Sequence, residues 1–182
     1  MIATSTNNAI YTLDAINRME ADTFAAAFGA VYEHSPWIAQ RAFEARPGAG
    51  FATIAAVHGA LVATVGSATR EEQLMLLRAH PELAGVEAAA GTLTTDSTHE
   101  QDAAGLNALS ADEVSRLRTL NARYRDRFDF PFIIAARNNT KAAIYGTLEA
   151  RLHNTADMEL RNALAQVGEI ARLRLTAMST ET

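Results

Sequence analysis

Apolar residues recur at intervals of three and four along nearly the whole chain, and strict apolar–polar alternation, the mark of a half-buried strand, is almost absent. The pattern predicts an all-α protein. Phe24, Phe28 and Val31 share one helical face. Ser35-Pro36 reads as an N-cap with proline at the first helical position, opening a helix through Trp37, Ile38 and Phe43 that stops at Arg46-Pro47-Gly48. The next helix carries Ile54, Val57, Leu61 and Val65, up to Gly66-Ser67. Thr69 and Glu72 have capping-box spacing ahead of Leu74 and Leu77. That helix is expected to end at His80, because the residue before Pro81 disfavours helical geometry.

The stretch from Gly91 to Thr98 is rich in Thr, Ser and Asp and reads as a loop joining two halves of one domain. Ser110 with Glu113 repeats the capping-box spacing before a helix lined by Val114, Leu117, Leu120, Tyr124 and Phe128, which Asp129-Phe130-Pro131 breaks. Phe132 to Ala136 is a short apolar run that fits either a buried extended segment or a helix start. Two last helices carry Ile144, Leu148 and Leu152, then Leu160, Leu164, Val167 and Ala171. The expectation is a single-domain helical bundle of about eight helices over residues 1–182, with 1–10 and 177–182 as peripheral tails.

Composition narrows the function. With 182 residues, 48% apolar and 20% charged, the chain has the balance of an ordinary globular domain. A net charge of -5, with its Lys and Arg dispersed among Asp and Glu, argues against nucleic acid as a partner. The absence of cysteine excludes disulfides, thiolate nucleophiles and cysteine-bound metals. No segment reaches the roughly 20 apolar residues of a membrane helix, and the N-terminus lacks the features of a signal peptide, so a cytoplasmic protein is expected.

Candidate chemistry concentrates in two places. His80 ends a helix, where the carbonyl end of the helix dipole favours the protonated imidazole; such a group either caps the last carbonyls or gives and takes protons. Ser97-Thr98-His99-Glu100-Gln101 offers donors and acceptors for a polar ring, with Glu100 a candidate to orient an imidazole, yet Ser97 and Glu100 also fit a capping box at a helix start. Gly48-Ala49-Gly50 lacks the third glycine and the preceding strand of a dinucleotide loop. His34, His58, His99 and His153 lack metal-ligand spacing, there is no H-E-x-x-H, and no G-x-S-x-G elbow occurs.

The segments Tyr32-Glu33-His34-Ser35-Pro36-Trp37-Ile38-Ala39, Leu77-Arg78-Ala79-His80-Pro81-Glu82-Leu83-Ala84-Gly85 and Ser97-Thr98-His99-Glu100-Gln101 follow one another in order. After them come Leu120-Asn121-Ala122-Arg123-Tyr124, Arg127-Phe128-Asp129-Phe130-Pro131-Phe132-Ile133, Arg151-Leu152-His153-Asn154 and Leu173-Arg174-Leu175. As an ordered set across about residues 10 to 176, they resemble the 2-oxo-4-hydroxy-4-carboxy-5-ureidoimidazoline (OHCU) decarboxylase family. The resemblance implies an all-helical homodimer that needs no metal or organic cofactor and acts on a small ureidoimidazoline, yielding S-allantoin in urate degradation. It places His80 at the catalytic histidine and Glu100 at the carboxylate beside it. It assigns substrate contacts to Pro81, Ser97, Thr98, His99, Gln101, the backbone of Phe132, Ile133, Ile134, Ala135 and Ala136, and Arg174, with Arg172 as the rival if the helix register shifts. Asp129 departs from a common glycine, and Asn138-Asn139 interrupts a region that commonly has one.

Loss of carbon dioxide from such a substrate leaves charge that delocalises as an enolate-like species, so no electron-sink cofactor is required. Two rival readings remain: a non-catalytic helical ligand-binding or dimerisation module on the same scaffold, and a metal-dependent ring hydrolase, which needs at least three clustered ligands.

Overall fold

The computed structural model describes residues 10–182, so nearly all of the expected N-terminal tail lies outside the described residues. Among them are ten α-helices, two short 3-10 helices and a two-stranded parallel sheet. The all-α expectation holds. The count exceeds eight because α1 (Leu13–Asn17) and α6 (Val86–Ala90) are too short to show a periodic stripe. The described chain gathers into two compact units: unit 1 runs through Ser67 and resumes at Ala171–Thr182, and unit 2 is Ala68–Ile170.

Unit 1 holds β1 (Tyr11–Thr12), α1, α2 (Ala21–Phe28), α3 (Trp37–Glu44), α4 (Ile54–Ser67), the end of α10 (Ala156–Met178) and β2 (Ser179–Thr180). Its interior is built on Phe24, whose ring lies 4.8 to 6.2 Å from those of Phe28, Phe43 and Phe51. Ser35 does not cap α3: Pro36 occupies the cap position in helical geometry, no side chain bonds the first turn, and Ser35 is buried instead. Asn17 clamps Phe51 through both backbone groups, at 2.7 and 2.9 Å. Gly50 makes this possible. Its φ of +83° is in the left-handed region, and a Cβ there would stand 2.7 Å from the Asn17 Oδ1. The C-terminal segment does not trail away, since Ser179 and Thr180 pair with Tyr11 and Thr12, and Glu181 accepts from the Ile54 N–H at 2.9 Å.

Unit 2 holds α5 (Arg70–Arg78), α6, α7 (Thr95–Ala103), α8 (Ala111–Phe128), α9 (Lys141–Arg151) and α10 up to Ile170. Both capping boxes form as their spacing predicts, Thr69 with Glu72 and Ser110 with Glu113. α5 stops two residues before His80. The stretch read as a loop is partly helical: Thr94 caps α7 by accepting from the Ser97 N–H at 3.2 Å, so Thr95 to Thr98 form its first turn. A lone threonine cap in polar sequence gives no apolar period to read. The run after Pro131 is buried and irregular through Ala135 and then makes one 3-10 turn, Ala136–Asn138, so it does not start a helix.

Asp129 ends α8 with a φ of +66°, the left-handed geometry that explains a glycine preference at this position. An aspartate tolerates it, and its carboxylate and carbonyl both accept from Arg78 at the end of α5.

Candidate active site

His80 sits just past the C-terminus of α5 and is 8% exposed. Its backbone N–H bonds the Leu77 carbonyl at 3.2 Å, and Nδ1 lies 3.1 Å from the Leu76 carbonyl oxygen. A carbonyl only accepts, so Nδ1 carries the proton and Nε2 is the basic nitrogen of the neutral ring. The imidazole therefore caps the last turn of α5 through Nδ1, as the first of the two readings of His80 has it.

The turn after His80 is held from two helices. Gln101 of α7 accepts from the Ala84 N–H at 2.9 Å, fixing Ala84 at a φ of +48°, which non-glycine residues rarely adopt. Asn121 of α8 donates to the Leu83 carbonyl at 3.0 Å, and Arg125 to the Glu82 carboxylate at 2.7 Å. Gly85 is required by space rather than by φ, because a Cβ would stand 2.8 Å from that of Glu82. The H-P-x-L-A-G piece is thus a turn whose residue types answer to its packing.

Capping by Thr94 overturns the capping-box reading of Ser97 and Glu100, and it places Ser97 inside the helix with its side chain buried. Ser97 and Gln101, one turn apart, form the buried face of α7, with Glu100 half-buried beside them. Thr98 and His99 point the other way: both are exposed, and the Thr98 hydroxyl donates to the Thr94 carbonyl at 2.9 Å. α7 packs against the 3-10 turn that begins at Ala136, the last residue of the Phe132 to Ala136 segment. Pro81 is half-buried beside His80.

That segment is pinned by residues the sequence did not single out for chemistry. Arg151 donates to the Ile133 carbonyl at 2.8 Å and lies 4.8 Å from the Phe132 ring centre; Gln166 accepts from the Ala135 N–H at 2.9 Å. Asn139 donates to the Ala135 carbonyl at 2.9 Å and Asn138 to Glu169 at 3.1 Å, so both asparagines act through their side chains. Arg151 is balanced by Glu159, fully buried, which accepts from it at 2.6 Å, from Asn154 at 2.7 Å and from the Tyr124 hydroxyl. Burial pushes the Glu159 carboxyl up, but these donors outweigh it and hold the group below the usual glutamate range. Burial, then the bond to Glu159, pushes the Tyr124 hydroxyl above its ordinary value. The available signal was Arg151 and Glu159 standing beside apolar helix positions.

Arg174 belongs to unit 1. It is 7% exposed, with its guanidinium 3.7 Å from the Glu33 carboxylate and 3.4 Å from the Val31 carbonyl. Arg172, two residues earlier on the helix, is exposed and lines a different feature of unit 1, a cleft of about 340 Å³ with His58, Thr176 and Glu181. Among the described residues no group of three or more His, Asp and Glu side chains is placed to hold a metal ion, and no helix is long and apolar enough to cross a membrane.

A family model described as OHCU decarboxylase matches residues 17–176. A 2-oxo-4-hydroxy-4-carboxy-5-ureidoimidazoline decarboxylase of Haloferax volcanii is 41% identical over 90% of this chain and 94% of its own. A mouse protein of the same name is 40% identical over 88% of this chain and 89% of its own. Among solved structures, one titled as an (S)-allantoin synthase superposes with a TM-score of 0.76 at 30% identity over 93% of this chain. This chain spans 54% of the length of that one.

Proposed function

From the premise that the chain belongs to the OHCU decarboxylase family, we propose that His80 is the acid/base that turns this decarboxylation into production of a single enantiomer. The protein decarboxylates OHCU in urate degradation. The substrate carries its carboxylate and a hydroxyl on one ring carbon and a ureido group on the next. Breaking the bond to carbon dioxide leaves an electron pair that enters the ring as an enolate-like species. Uptake of a proton by the ring nitrogen that receives the charge, loss of the hydroxyl proton and gain of a proton at the ureido carbon then complete the ring, the carbonyl and the stereocentre of S-allantoin.

The observation that carries the proposal is the Nδ1 bond from His80 to Leu76, which supports the tautomer with its proton on Nδ1; in this reading Nε2 is the nitrogen that exchanges protons with the substrate. A fixed imidazole delivers its proton to one face of the ring. In this reading Glu100 orients the imidazole, Ser97, Gln101 and Pro81 border the substrate, and the backbone from Phe132 to Ala136 supplies polar contacts. Arg174 is assigned to the substrate on the sequence match alone. Exposure of Thr98 and His99 argues for leaving them out of the contacts. The carboxy-lyase works as a cytoplasmic homodimer and needs no electron-sink cofactor, because the ring accepts the electron pair.

Circular dichroism of OHCU generated in situ from urate tests this activity. Uncatalysed decay has no chiral environment and gives a racemate, so the protein is expected to produce a rapidly growing S-allantoin signal that survives a chelator. A trace indistinguishable from spontaneous decay would contradict the assignment and favour the non-catalytic module.

A further inference from the structure

Asn121 is 1% exposed in the middle of α8, and its carboxamide is only half satisfied: Nδ2 donates to the Leu83 carbonyl at 3.0 Å, while the buried Oδ1 meets no donor. Leu83 lies in the turn that follows His80. Three side chains from two helices grip consecutive residues of that turn: Arg125 holds Glu82, Asn121 holds Leu83 and Gln101 holds Ala84. The Arg125–Glu82 pair is partly open to solvent, where ion pairs contribute little. Gln101 already belongs to the proposed substrate site. Asn121 is buried, polar and without an assigned role.

An apolar side chain of similar volume at this position would leave no orphaned oxygen but would take the donor away from the Leu83 carbonyl, so the bond to Leu83 is what the asparagine provides. What only a side chain of this shape provides is a donor placed on the Leu83 carbonyl. The His80 ring is anchored by Leu76 on the α5 side, and the chain leaves His80 through Pro81, Glu82 and Leu83, so the bond to Leu83 holds the backbone three residues beyond the imidazole.

We propose that Asn121 is a positioning residue for His80, acting through the Leu83 carbonyl to hold the imidazole in its productive direction. This rests on the reading of His80 as the acid/base. A catalytic group displaced by about 1 Å loses on the order of 10²-fold in rate, so the effect belongs in kcat rather than in KM.

The test compares Asn121→Leu, Asn121→Asp and His80→Gln in the dichroism assay, with kcat and KM measured separately and folding checked by thermal unfolding. Asn121→Leu is expected to fold, lower kcat by about tenfold or more, and keep KM within about twofold. Asn121→Asp is expected to gain a pH dependence the wild type lacks. Its ionised carboxylate faces the Leu83 carbonyl, whereas its protonated form restores a donor, so kcat rises as pH falls through the new titration. An unchanged kcat in Asn121→Leu with His80→Gln inactive overturns the proposal and leaves the His80 reading standing; so does a raised KM with unchanged kcat, which would place Asn121 on the ligand. Full activity in His80→Gln overturns the reading and the proposal together. If Asn121→Leu does not fold, the Asn121→Asp profile decides, and one parallel to wild type overturns the proposal.

Discussion

At the scale of single residues, the site depends on buried polar atoms whose partners are fixed by the fold. Gln101 is the clearest case, because its carbonyl oxygen takes the N–H of a backbone unit held at the unfavourable φ of Ala84. Gln101→Leu is therefore expected to cost about 1–3 kcal/mol, from the unpaired Ala84 N–H, and to lower activity; unchanged thermal unfolding would show that the turn holds itself. The place of His80 at the end of a helix was legible because a residue before proline disfavours helical geometry. The hydrogen bonds of Asn121 and Gln101 were not, because they join residues 38 and 17 positions apart and leave no local pattern.

At the scale of elements, the most informative difference lies at the start of α7. Polar sequence with no apolar stripe reads as loop, and a helix capped from Thr94 turns Ser97 inward and Thr98 outward. Thr94→Ala is expected to cost about 1 kcal/mol in thermal unfolding, whereas Ser97→Ala should leave capping intact and act on KM. A larger stability loss for Ser97→Ala than for Thr94→Ala would return the cap to Ser97. Helices with long apolar stripes and capping boxes, α5 and α8, were readable in advance to within two residues. Where Asp129 replaces a common glycine, the left-handed turn is kept and the carboxylate gains Arg78 as a partner.

At the scale of the whole molecule, the buried network of Tyr124, Arg151 and Glu159 holds the Ile133 carbonyl in unit 2. Because the folded Glu159 carboxyl is held below its ordinary value of 4.5, the folded state takes up that proton less readily than the unfolded chain. Its contribution is therefore complete above the usual glutamate range and is lost as the pH falls through the folded value. Glu159→Gln should flatten this acid limb of the stability profile and, by leaving Arg151 buried and unbalanced, cost about 3–5 kcal/mol at neutral pH. An acid limb as steep as that of the wild type would contradict this account of the network. The central claim, however, concerns the proton from His80, and the most direct measurement is the dichroism trace of His80→Gln beside wild type on the same urate-derived substrate. The account predicts S-allantoin from the wild type and only the slow racemic course from the variant, with the fold intact; a single enantiomer formed rapidly by the variant would contradict it.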